Sequence, residues 1–324
     1  MLDLIIIGAG VVGLGTAMYA GRLDLDTLVL GEASGTENAI GGTITLTEIV
    51  ENYPGFKKLT GSELAKKIEE HAKDYDCVEI KNEKAIKVMK GEDKNCFKVK
   101  TKNNEYRTLA IVFATGTKWR KLPIKGAKEF EGKGVHYCAL CDGPLMREKT
   151  VAVIGGSDTA SKEALLLAEY ADRVYIIYRG DEIHPEPVNA KRVEKNKKIK
   201  IINDTNVKEI KGNKHVEKVL LDKEFDGSKE LELDAVFGAI GNEPNSGLAR
   251  DLVELNEKGE IKIDRESNTG VPGVFAAGDV TDTAFKQAVT GVSEGVHAAH
   301  SAYQYITDGG FVCPFYDEKY PGGE

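Results

Sequence analysis

Cysteine is scarce, with five residues among 324. So few, so widely scattered, exclude the disulfide framework of a small secreted domain. Cys77, Cys96 and Cys313 stand alone, and only Cys138 and Cys141 are close, as C-x-x-C in "GVHYCALCDGPL". A structural zinc takes about four ligands, usually as two close pairs. Here there is one pair, with His136 the nearest imidazole, so no metal is expected. In a reducing compartment an isolated C-x-x-C reads as a redox pair. Positive charge is also short: 44 Lys and Arg against 52 Asp and Glu, a formal net charge of −8. That balance excludes a nucleic-acid-binding surface as the main function. The Lys-rich run 191–200 then reads as a solvated face or loop. Long apolar runs are missing; none approaches the about 18 residues that span a bilayer. The opening "LDLIIIGAG" has no basic n-region and meets glycine within a few residues, so it reads as a strand and not a signal peptide. A cytoplasmic protein with neither membrane nor nucleic acid as partner is expected.

What is present is enough for real cores: 41% hydrophobic residues in a chain whose length suggests two domains. Leu4–Ile7 is a continuous apolar run, as expected of a strand buried on both faces. Gly8, Gly10 and Gly13 follow in G-x-G-x-x-G spacing, then a helical stretch from about Val11 to Gly21 and a second strand, Thr27–Leu30. Such glycines allow a tight turn, close approach of a pyrophosphate and close helix–strand packing. The helix N-terminus offers free N–H groups to phosphates. Glu32, shortly after the second strand, stands where an acid bonds a ribose hydroxyl.

The device recurs. The strand Val151–Ile154 leads into Gly155, Gly156, Ser157 and Ala160, a helix from about Thr159 to Tyr170, and a strand Arg173–Tyr178. Ser157 replaces the second glycine and lets the backbone approach less closely. Two such units point to two dinucleotides, or to one dinucleotide and a domain that once bound another; the pairing that uses both is a flavin beside a nicotinamide. The fold class expected is α/β, with two Rossmann-like dinucleotide-binding domains.

The helical "TGSELAKKIEEHAKDY", capped by Thr60 or Ser62, and strands in "NCFKVKT" and "TLAIVFATGT" continue the first domain. "VFATGT" and "AIGNEPNS" are apolar strands running into turn residues, and they bracket the second nucleotide unit. "GVFAAGDVTD", with Gly278 and Asp279, resumes the first. The second domain is therefore read as inserted into the first. The boundaries are 1–115 with 245–307, then 116–244, then a C-terminal tail 308–324. Two short links make a hinge.

These segments, with "GGTITLTEIVENYPGF" and "KQAVTGVSEG", resemble low-molecular-weight thioredoxin reductases and their flavoprotein relatives over residues 1 to about 307. The resemblance implies FAD in the split domain and a homodimer. Gly8, Gly10 and Gly13 would meet the pyrophosphate, and Asn52 would lie near the flavin. Asp279 would bond the ribityl chain, Gly278 beside it would also bind FAD, and Gln287 and Ala288 would sit at the pyrimidine end of the ring. Cys141 would face the flavin and form a transient adduct, and Cys138 would attack the disulfide of a thioredoxin- or glutaredoxin-like protein. Asp142 would manage the protons. A carboxylate beside a thiolate opposes its formation, so Asp142 makes better sense protonating a leaving thiolate. Its plain alternative is a turn residue before Gly143-Pro144.

Two features depart from the family pattern. NADPH-using members carry an "HRRxxxR"-like segment after the second strand of the inserted domain. Here it is "YRGDEIH", in which Arg179 remains and Gly180 and His184 replace the other arginines. A hydrogen bond to a charged group is worth about 1.5–3 kcal/mol, so losing two costs roughly a hundredfold or more in preference for the 2′-phosphate. Tyr178 stands where a clean NAD site would have an acid. The expected donors are NADH, then a reduced ferredoxin or deazaflavin, then NADPH. A possible NAD(P) site would use Gly155, Ser157, Ala160 and Arg179. The tail carries Phe311, Phe315, Tyr316 and Tyr320, read as a surface strap or dimer contact, or as an aromatic cover for a flavin. Ferredoxin–nicotinamide reductase chemistry, which does without the C-x-x-C, and a non-catalytic redox switch are the alternatives.

Overall fold

The computed structural model describes residues 1–32, 40–91 and 96–308. The tail aromatics and Cys313 lie outside the described residues. The chain divides into two compact units, Met1–Lys118 with Glu243–Glu324, and Trp119–Asn242.

In the first unit the strand Leu2–Ile7 lies in mid-sheet. It pairs in parallel with Thr27–Gly31 on one side and Glu105–Phe113 on the other. Leu4, Ile5 and Ile6 are fully buried, which is why the segment is apolar without alternation. The sheet runs Val78–Asn82, Thr27–Gly31, Leu2–Ile7, Glu105–Phe113, Phe97–Lys100, Lys87–Lys90, and Val274–Ala276 also pairs with Glu105–Phe113. The helix Val11–Arg22 connects the first two strands, and the long helix Ala288–Thr307 packs on it. Small residues permit that approach: a Cβ on Gly295 would lie 2.4 Å from Thr16 Oγ1. Thr60, not Ser62, caps the helix Gly61–Lys73, in a capping box with Glu63. Ser62 Oγ donates instead to the Thr45 carbonyl at 3.2 Å.

The second unit repeats the plan. Its sheet runs Ile199–Ile202, Arg173–Ile177, Thr150–Ile154, Ala235–Gly238, Val135–His136, all parallel, with the helix Asp158–Tyr170 after the middle strand. The two copies share their tightest feature. Gly8 (φ +114°) and Gly155 (φ +151°) end the middle strands, and a Cβ on either would lie 2.2 Å from a carbonyl oxygen, that of Ala114 or Ala239. No other residue fits such a turn. An antiparallel sheet of Val207–Gly212, Val216–Phe225 and Ser228–Glu232 was not foreseen from the sequence. The Lys-rich run forms the end of the helix Pro187–Lys195 and the strand after it. Lys191, Lys195 and Lys197 are exposed there, while Lys198 Nζ donates to the Ala168 and Ala171 carbonyls at the end of the preceding helix.

Candidate functional site

The first unit holds a cleft of about 1020 Å³ at the C-terminal ends of its parallel strands. Gly8, Gly10, Glu32, Asp279, Gln287 and Ala288 all line it. Gly10 is the N-cap of the helix Val11–Arg22 and no side chain among the described residues caps that end, which leaves its first N–H groups available to a ligand. A Cβ on Gly10 would make only ordinary van der Waals contact, 3.7 Å from the Gly42 Cα and 3.9 Å from the Gly41 carbonyl oxygen. Gly13 serves packing: a Cβ there would lie 1.8 Å from the Gly8 carbonyl oxygen. A cleft-lining glycine, close packing at the next and a bare helix end fit the pyrophosphate of FAD. Glu32 also pairs with Lys84, Oε2 to Nζ, at 3.0 Å.

The far wall is the turn carrying Gly278 and Asp279. Burial raises the Asp279 carboxyl above the usual carboxylate range, with Lys286 opposing and Glu294 adding to the rise. A desolvated carboxyl facing a cleft fits a hydroxyl-rich ribityl chain, which supplies donors. Two residues the sequence reading missed hold this turn. Glu294 on the last helix accepts from the Gly278 N–H at 2.8 Å and also bonds the Thr283 hydroxyl. Lys286 Nζ donates to the Asp279 carbonyl and pairs with Glu260, each at 3.0 Å. Asn52, 235 positions from Gln287, donates to its Oε1 at 3.0 Å.

In the second unit Cys138 and Cys141 form a disulfide with Cα atoms 5.3 Å apart. The strand Val135–His136 delivers them, and Cys138 caps the short helix Ala139–Asp142, its Sγ accepting from the Cys141 N–H at 3.1 Å. Cys138 is buried and Cys141 exposed. His136 pairs with Asp142, Nδ1 to Oδ2, at 2.9 Å. Among the described residues no cluster of three or more His, Cys, Asp or Glu forms a metal site.

The second glycine turn differs from the first. Ser157 N-caps the helix Asp158–Tyr170, Ala160 is buried beneath it and Arg179 is exposed. The Tyr178 ring lies across the turn, so close that a Cβ on Gly156 or Gly180 would be 2.4 or 2.5 Å from it. Its hydroxyl meets His184 Nε2 at 2.9 Å, and the His184 N–H donates to the Gly156 carbonyl at 2.7 Å.

The model of the family described as pyridine nucleotide-disulphide oxidoreductase matches residues 2–295. A thioredoxin reductase of Treponema pallidum is 40% identical over 306 residues, 94% of this chain and 97% of that protein. A 34.2 kDa protein in the rubredoxin operon of Clostridium pasteurianum is 39% identical over 306 residues, with the same two coverages, 94% and 97%. The crystal structure of Lactococcus lactis thioredoxin reductase superposes with a TM-score of 0.88 at 34% identity, covering 94% of this chain and 99% of that one. No helix among the described residues is long and apolar enough to cross a membrane.

Proposed function

The chain belongs to the pyridine nucleotide-disulphide oxidoreductase family, as a flavoprotein disulfide reductase of the thioredoxin-reductase kind, and from that premise we propose how its residues divide the work. Residues 1–115 and 245–307 form the FAD-binding domain, and 116–244 the NAD(P)-type domain with the redox pair. FAD, when bound, supplies a carrier that accepts two electrons from a donor and gives two to a disulfide. Gly8, Gly10 and Gly13 admit its pyrophosphate to the helix N-terminus, and Glu32 accepts from a ribose hydroxyl. Gly278 and Asp279 hold the ribityl chain. Gln287, Ala288 and the Asn52 amide border the ring.

The Cys138–Cys141 bond receives the electrons, with Cys141 facing the flavin, and the resulting dithiol reduces a thioredoxin- or glutaredoxin-like protein. Cys138 is the attacking thiol and Asp142 protonates the sulfur that leaves. Cys138 is 6% exposed, so its attack on a protein disulfide requires a change of conformation that uncovers it. The inserted domain rotates about its two links so that the donor and the dithiol reach the flavin in turn. The protein works as a cytoplasmic homodimer. The donors remain ranked NADH, then reduced ferredoxin or deazaflavin, then NADPH. Gly180 and His184 in place of two arginines support placing NADPH last, and the Tyr178 ring over the glycine turn stands in the way of either nicotinamide dinucleotide.

The observation that carries this reading is a disulfide with one exposed cysteine in the same chain as a glycine-lined cleft. The test is anaerobic bleaching of the flavin by NADPH, NADH, reduced ferredoxin and reduced deazaflavin in turn, followed by addition of oxidised thioredoxin. Bleaching by at least one donor and reoxidation by thioredoxin, lost in Cys138→Ser, is expected. Full thioredoxin reduction by Cys138→Ser overturns the reading. Tyr178 over Gly156 also favours a second reading, a redox switch without turnover; steady turnover with any reductant excludes it.

A further inference from the structure

His136 and Asp142 bracket the redox pair in sequence, two residues before Cys138 and one after Cys141. The short helix brings them together: the Asp142 N–H donates to the Cys138 carbonyl at 3.1 Å, and its carboxyl turns to His136 Nδ1 at 2.9 Å. The imidazole is firmly placed. Its side chain is 10% exposed and stacks on Phe237, centroids 5.2 Å apart. Phe237 is fully buried and is its register partner in the next strand. Burying a polar ring without a partner is costly, so this placement makes the bond to Asp142 matter. Nearby cations are engaged elsewhere: Lys121 pairs with Glu131 and lies over the Tyr137 ring, and Arg147 lies over Tyr170.

We propose that His136 is a positioning residue for disulfide interchange, holding Asp142 where its carboxyl hands a proton to the sulfur that leaves; this rests on the interchange chemistry proposed above. One proton suffices for the pair. Nδ1–H donates to the carboxylate, or the carboxylic O–H donates to Nδ1.

The reduced pair starts with Cys138 as thiolate, Cys141 as thiol and Asp142 protonated. Cys138 attacks the substrate disulfide, the substrate S–S bond breaks, and its leaving sulfur takes the Asp142 proton. The Asp142 carboxylate then takes the Cys141 proton. The Cys141 thiolate attacks Cys138 sulfur, closing the enzyme disulfide and releasing the second substrate sulfur as thiolate. The enzyme pair is oxidised and the substrate disulfide reduced, each by two electrons, and Asp142 ends protonated as it began. Without His136 the carboxyl is free to turn to water and the proton is delivered less often.

The test uses the full chain, reduced with excess dithiol, desalted anaerobically and mixed by stopped flow with two small disulfides. Bis(hydroxyethyl) disulfide releases a basic thiolate that needs a proton, whereas dithiobis(nitrobenzoate) releases an acidic one that does not. For His136→Leu, the loss of rate with the first should exceed the loss with the second by about tenfold or more. His136→Asn, whose amide can donate or accept at the Nδ1 position, should recover most of that difference. In an Asp142→Asn background His136→Leu should add no further selective loss. Equal slowing with both disulfides, no slowing, or failure of Asn to rescue a protein of unchanged thermal midpoint overturns the inference. None of these outcomes depends on flavin or donor, so they stand apart from failure of the functional reading itself.

Discussion

The Glu294 carboxylate accepts the Gly278 N–H at 2.8 Å, which fastens the last helix to the turn that presents Asp279 to the cleft. The same carboxylate bonds the Thr283 hydroxyl, and Lys286 braces the turn from its other side. Glu294→Ala leaves an N–H and a hydroxyl without their acceptor. Hydrogen bonds to a charged group are worth about 1.5–3 kcal/mol each. FAD affinity, read by flavin fluorescence on reconstituting apoprotein, should fall about tenfold or more, with Glu294→Gln in between. An unchanged affinity in Glu294→Ala would show that the turn holds its shape unaided.

Gly10 and Gly13 separate binding from folding. A Cβ at Gly10, which lines the cleft, makes only ordinary contacts, whereas one at Gly13 strikes the Gly8 carbonyl. Gly10→Val should therefore keep its circular dichroism and thermal midpoint but purify with little flavin. Gly13→Ala should lose stability as well as flavin. A yellow, fully loaded Gly10→Val protein would move the pyrophosphate away from this turn.

The glycine turns were legible because each needs a backbone that only glycine provides, and that need repeats at Gly8 and Gly155. The partners across the cleft were not. Glu294, Lys286 and Lys84 are ordinary charged residues whose roles arise when distant elements meet. His136 stood in view as the imidazole nearest the cysteines, but only the turn of the Ala139–Asp142 helix directs it to a carboxyl. The sheet of Val207–Glu232 was hidden because its strands carry many charged residues on their exposed face.

The donor motif can be rebuilt. Gly180→Arg alone should disturb the turn, because its new Cβ would meet the Tyr178 ring at 2.5 Å. Combining it with Tyr178→His and His184→Arg removes that ring and adds two cations. The triple variant should favour NADPH over NADH by about a hundredfold relative to the parent, measured as the ratio of flavin-bleaching rates. An unaltered ratio would show that this segment does not select the donor.

Burial lifts Glu163 to about 8 from the ordinary 4.5, and its Oε2 has no hydrogen-bond partner among the described residues. The folded state therefore holds this proton across a window where the unfolded chain has lost it. The sign follows: stability is lost as pH rises from about 4.5 towards 8, at about 1.4 kcal/mol per pH unit at most. Glu163→Gln removes the penalty, so its thermal midpoint should match wild type near pH 5 and exceed it near pH 8. Equal midpoints at both values would contradict the assignment.

The central claim is that flavin and the Cys138–Cys141 pair exchange electrons within one polypeptide. Anaerobic reductive titration tests it most directly, with the thiols trapped by alkylation at the end point. Wild type should take up four electrons per flavin and yield two new alkylated thiols at Cys138 and Cys141, whereas the Cys138→Ser, Cys141→Ser protein should take up two. Wild type that stops at two electrons with its disulfide closed would contradict the account.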